Sequence, residues 1–228
     1  MPKRTKAIKV TDRKKAWLKK VKPSVYKVET EELNKVILIV GKGQTEKLYF
    51  ESFPVLGLTV EVVDLGGQTM LKLIEATENI IADSDKDYDS VWCVFDMDVK
   101  RGEKEFADFD NAIESGKAKR YNVAYSNDCF ELWFYLHYNF TQQKNHRKFY
   151  YTALGKKWNC NYEKVGKTYD FCETIYSKLL EDEEASQEDA INRAKKLYSE
   201  QSDLIYHKQN PITKVYKLVE YLNENSRR

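Results

Sequence analysis

The sequence predicts an α/β fold in which a mostly parallel central sheet occupies the first half and helices fill the second. From residue 36 the hydrophobic period alternates between strand-like and helix-like runs, the pattern of βαβ units. Residues 36–40 are an uninterrupted apolar run, as expected of a strand covered on both faces. Beyond Asp128 only helical patterns remain.

In order, residues 36–40 read as the first strand, 45–53 as a short helix and 59–64 as the second strand. Residues 68–82 read as a helix because Leu71, Ile74 and Ile81 recur at near-helical spacing, with Glu78 the polar member of the series. A third strand covers 90–95, a helix 103–115 and a fourth strand 122–125, where the sheet is expected to end. Helices follow at 129–138, 169–180 and 186–198. A last helix is expected to open at Asn210 and Pro211, the N-cap and first-turn pair. Its stripe of Ile212, Val215, Leu218, Val219 and Leu222 demands packing. Residues 139–167 are mixed in polarity and receive no element. The chain thus divides into a basic arm (1–35), an α/β core (36–138) and a helical subdomain (139–228).

A length of 228 residues is ample for one sizeable core with an appendage, or for two small domains. The formal charge of +2 conceals an asymmetry: residues 1–35 carry 12 Lys/Arg and 4 acids, leaving 26 against 32 for the remainder. Such an arm collects phosphates by counterion release. Arg13, Lys14, Lys15, Lys19, Lys20 and Lys22 are the expected nucleic-acid contacts, with Trp17 and Tyr26 available to stack on bases. The alternative is a solvated tail. No apolar run approaches the roughly 18 residues of a membrane span, and the N-terminus lacks the apolar stretch of a signal peptide. The four cysteines form no C-x-x-C pair and read as reduced thiols, so a cytoplasmic protein is expected.

Three segments carry chemistry. The apolar strand Val91-Trp92-Cys93-Val94-Phe95 ends in Asp96 and Asp98, which face the same way in an extended chain. They point into the crevice beyond the strand ends, where open α/β sheets bind ligands. Adjacent carboxylates suit a hard cation, Mg²⁺ or Mn²⁺; the alternative is a strand-end turn in which Asp caps the next segment. The turn Gly41-Lys42-Gly43-Gln44-Thr45-Glu46 lies at the same sheet edge but lacks the P-loop spacing, and Thr45 with a following acid also suits a helix start. The third segment, 126–137, is apolar or aromatic almost all round from Cys129 to Leu136, which implies burial. Glu131 is the exception, and a buried carboxylate requires a cation, a metal or a proton. His137 is either a ligand or a simple hydrogen-bonding residue.

Together "ILIVGKGQTEKLYFESF", "VWCVFDMD", "SNDCFELWFYLHY" and "NPITKVYKLVEYL" resemble the RloB-like family of Toprim-type proteins, in the same order over nearly the whole chain. The string SN-x-CFELW is the most specific. The resemblance implies a Toprim-like, Rossmannoid core and a metal-dependent nuclease subunit of a bacterial anti-phage or abortive-infection system. It implies that Asp96 and Asp98 hold Mg²⁺ or Mn²⁺ together with a glutamate after the first strand, a place left here to Glu46, and buried Glu131 completes the expected catalytic set of Glu46, Asp96, Asp98 and Glu131. The implied partners are nucleic acid, DNA or RNA, a partner ATPase of a defence operon and further copies of the chain, with no membrane. One position departs: where the family's EGxTE has its first glutamate, this chain has Lys42. An ammonium there repels a divalent cation and accepts no proton at neutral pH, so the expectation is impaired chemistry or a non-catalytic module that binds nucleic acid or the ATPase. "FDMDV" and "VAYSN" also resemble motifs of aspartate-nucleophile phosphatases of the haloacid dehalogenase type, but that resemblance stops before the later lysine and acidic pair.

Overall fold

A computed structural model of the protein describes residues 34–97 and 103–226. Asp98 and the arm residues Arg13, Lys14, Lys15, Lys19, Lys20 and Lys22 lie outside the described residues, as do Trp17 and Tyr26. The sheet is built from β1 (Lys35–Gly41), β2 (Leu58–Asp64), β3 (Ser90–Asp96) and β4 (Asn122–Asn127), with a short fifth strand, β5 (Ile212–Thr213). Its order is β2-β1-β3-β4-β5, parallel throughout except for the antiparallel β4–β5 pair. The strand bearing Asp96 is therefore central, with a neighbour on either side.

Helices alternate with the strands: α1 (Gln44–Glu51), α2 (Met70–Asp83), α3 (Glu103–Ala118) and α4 (Glu131–Tyr138). The C-terminal part adds α5 (Arg147–Lys157), α6 (Tyr162–Val165), α7 (Tyr169–Glu181), α8 (Gln187–Gln201) and α9 (Val215–Asn225). The apolar β1 run has the predicted cause, since Ile37, Leu38, Ile39 and Val40 are all fully buried. Alternate side chains enter opposite layers, as the two-residue period of a strand requires. Ile37, Ile39, Trp92, Val94 and Ala124 face a core shared with α1, α4 and the C-terminal helices. Leu38, Val40, Cys93, Phe95 and Tyr125 face α2 and α3. Gly116 on α3 lets that helix approach the sheet, because a Cβ there would sit 2.7 Å from Val123 Cγ2.

The end of the chain corrects the sequence reading. Asn210 and Pro211 do not open a helix; the next two residues join the sheet and α9 begins at Val215. Tertiary hydrogen bonds explain the change. Ser126 Oγ and Thr213 Oγ1 lie 2.8 Å apart, and Asn127 Nδ2 donates to Gln209 O at 2.7 Å, holding the segment as an edge strand. The predicted stripe is buried, but Ile212 faces the α2–α3 layer while Val215, Leu218, Val219 and Leu222 face the other. No helix among the described residues is long and apolar enough to cross a membrane.

Candidate functional site

The carboxyl ends of β1 and β3 lie side by side, since Gly41 pairs with Val94. Lys42 N–H donates to Val94 O at 3.1 Å and pins the turn after β1 against β3. Residue 42 and residue 96 are thus forced together at the strand ends. Lys42 Nζ stands 3.7 Å from Asp96 Oδ1. A cleft of about 620 Å³ opens here, reached by Lys42, Glu46, Asp96 and Asp108 from the sheet half and by Arg147 and Lys167 from the helical half.

Glu46 occupies the first turn of α1 and is buried. Gly43 makes room for it: a Cβ at residue 43 would lie 3.0 Å from Glu46 Oε2. Burial, with repulsion from Asp96, pushes the Glu46 carboxyl up to about 8, so it is largely protonated at neutral pH. Burial likewise raises Asp96, against the opposing pull of Lys42, Arg147 and Lys167. Arg147 Nη2 lies 4.0 Å from Asp96 Oδ2. Asp128 orients that arginine, its Oδ2 accepting Arg147 N–H at 2.7 Å and facing Nε at 3.6 Å.

Glu131 is fully buried at the start of α4. Its partner is Lys167, whose Nζ is 2.5 Å from Oε1, while Tyr162 Oη donates to the same oxygen at 3.2 Å. Burial alone would raise this carboxyl, but the charge and hydrogen bond of Lys167 prevail and hold it below the usual range. Glu131 Oε2 is buried without a nitrogen or oxygen donor among the described residues. Lys167 Nζ also reaches Thr45 Oγ1 at 3.4 Å, tying the cation to α1.

Glu46 and Asp96 therefore line one cleft with Lys42, Arg147 and Lys167, while Glu131 is fully buried and connected to it through Lys167. His137 does not join them. It is buried, with Nδ1 3.0 Å from Trp133 O, and lines a separate cavity with Tyr49 and Tyr176. Arg147 and Lys167 carry no signal in the sequence because both fall within 139–167, the stretch that receives no element. The one signal was Glu131, whose burial demanded a partner without naming it.

The described residues do not by themselves fit a Mg²⁺ or Mn²⁺ ion: no three metal-ligating side chains converge among them, and two cations flank Asp96. What the arrangement offers is cations at the rim of an open cleft, where a phosphate accepts charge-assisted hydrogen bonds. Comparison with curated proteins and with solved structures finds no match. The β1 turn, the β3 aspartate, the SN-x-CFELW segment and the C-terminal helix nevertheless fall within one family model that covers residues 37–222, and by that match the chain belongs to the RloB-like protein family.

Proposed function

We propose that the chain binds a phosphodiester of nucleic acid in this cleft, and that Lys42 holds down the metal-dependent cleavage implied by its likeness to Toprim-type nuclease subunits of anti-phage defence. The observation that carries the reading is the Lys42–Asp96 contact of 3.7 Å, which puts the protein's own cation against the carboxylate expected to hold a metal. In that reading Arg147 and Lys167 neutralise the phosphate oxygens, and protonated Glu46 donates a hydrogen bond instead of repelling the ligand. The residues that would hold a Mg²⁺ or Mn²⁺ ion are Asp96 and Asp98, with Glu46 only once it loses its proton, and the ion would supply Lewis-acid chemistry to a phosphodiester. It binds weakly while Lys42 is present. The partner ATPase and self-assembly rest on the family likeness alone.

The same contact favours a second reading, a permanently non-catalytic binding module. The aspartate-nucleophile phosphatase finds less support, because the C-terminal part supplies helices and a two-residue strand, not further sheet. A matched assay decides: the parent, Lys42→Glu and Asp96→Ala are each incubated with Mn²⁺ and labelled single-stranded DNA, duplex DNA and RNA. Binding without cleavage by the parent and cleavage by Lys42→Glu supports suppressed chemistry. Binding without cleavage by both leaves the non-catalytic module, and no binding by the parent overturns both readings.

A further inference from the structure

Helix α5 reads RKFYYTALGKK, with four cations and no acid. The wider segment 141–168 carries seven Lys/Arg and one acid, Glu163, whereas the rest of 36–228 carries 19 Lys/Arg against 31 acids. The positive charge of residues 36–228 is therefore concentrated locally. Burial divides α5 into two faces. Tyr150, Leu154 and Gly155 pack inward, while Lys148, Phe149, Thr152 and Lys156 stand exposed at spacings that align them along one stripe.

Phe149 is 41% exposed, so part of its ring is open to a partner from solvent. Tyr135 and Tyr150 hold the ring in place, with centroids 5.5 and 5.4 Å away. Grooves of about 730 and 640 Å³ flank the stripe, and Thr152 and Lys156 line both. Their acidic members are few: Glu184 in one, already paired with Lys157, and Glu163 in the other. At the amino end of the helix, Arg147 enters the cleft at Asp96.

We propose that the exposed stripe of α5 is a docking track for single-stranded nucleic acid, delivering its backbone to the cleft past Arg147. The inference rests on the phosphodiester reading of that cleft and adds where the rest of the strand lies. Charge complementarity selects a polyanion. An immobilised ring bordered by ammonium groups selects one whose bases are free to stack, since bases in a duplex present no open face.

The test is fluorescence anisotropy of the full chain in EDTA with labelled 20-mers of deoxythymidine and of uridine, a 20-base-pair duplex and the dinucleotide pTpT. Lys148→Glu/Lys156→Glu is expected to weaken both 20-mers about tenfold or more and to flatten the dependence of log K on log salt. Phe149→Ala is expected to weaken them about fivefold or more with the salt slope unchanged. The duplex should ignore Phe149→Ala, and pTpT, too short to span the helix, should ignore all three substitutions. If both α5 variants bind the 20-mers as the parent does while Lys167→Gln weakens them, the track is overturned and the cleft reading stands. If the parent binds none of the probes, both fall. Circular dichroism checks each variant: the exposed α5 substitutions should leave the fold intact, and Lys167→Gln, which touches buried Glu131, is compared only below its melting transition.

Discussion

Lys42 Nζ and Asp96 Oδ1 sit 3.7 Å apart because the backbone of residue 42 is bonded to Val94 and cannot leave the strand end. The proximity is fixed by the sheet, so it persists when the side chain changes. Lys42→Glu would put a third acid beside Asp96 and Glu46, a change of two charge units. At about 4 Å and an effective dielectric near 20, each unit is worth roughly 4 kcal/mol before relaxation. The variant should melt below the parent in EDTA and recover several degrees with millimolar Mn²⁺, through stabilisation of the folded state by ligand. The parent should show no such shift. A Mn²⁺-dependent rise in the parent that Asp96→Ala removes would mean that the remaining acids already hold the ion.

Lys167 makes a separate prediction, because its partner Glu131 is fully buried. Removing one member of a buried pair leaves an uncompensated charge. Lys167→Met should cost about 3 kcal/mol in urea unfolding at pH 7, the low end of the usual range because the lysine is half exposed. Adding Glu131→Gln should restore most of the loss. If the double variant is as unstable as the single, the contact of Lys167 with α1 at Thr45, and not its charge, carries the effect.

What was legible in the sequence follows burial. Strands β1 and β3 announce themselves because two covered faces demand unbroken apolar runs. Helix α5 does not, since its inward face is only Tyr150, Leu154 and Gly155, too narrow a stripe against its lysines. Strand β5 is two residues held by Ser126 and Asn127, side chains more than 80 positions away, and no local pattern encodes it. At the site, Glu46, Asp96 and Glu131 were readable because acids next to apolar strands and helices need a reason. Arg147 and Lys167 were not, because a surface-type cation acquires its role only from the acid it folds against.

His137 predicts an acid limb to stability. Burial, aided by Arg193, lowers its imidazole to about 4 despite the contact with Trp133 O. The folded pKa lies below the unfolded value near 6.5, so between pH 6.5 and 4 the unfolded chain binds more protons. Stability therefore rises with pH across that window and falls as acid is added. The loss from this residue is about 2 kcal/mol by pH 5 and about 3 by pH 4. His137→Gln should lose correspondingly less between pH 7 and pH 5 than the parent in urea titrations. Parallel curves would show that other groups carry the acid limb.

Lys214 sits at the sheet edge with its backbone N–H bonded to Tyr125 O at 2.8 Å. The residue is 9% exposed, and its ammonium lies 5.3 and 5.0 Å from the rings of Tyr125 and Tyr198. No carboxylate pairs with it among the described residues. Burial, reinforced by Lys217 and Lys117, lowers its pKa to about 8. The unfolded value is the ordinary 10.5, so the penalty for the buried charge is fully present below pH 8 and fades as pH rises through 10.5, above which both states are neutral. Attraction to the two rings offsets part of it. Lys214→Met keeps the apolar stem and removes the charge, and should stabilise the protein by about 1–2 kcal/mol at pH 7, with a smaller gain at pH 9.5. Thermal melts at the two pH values check both the sign and the trend. A variant less stable than the parent at pH 7 would mean that the aromatic rings more than compensate for desolvation, making Lys214 a structural cation and not a burden on the fold.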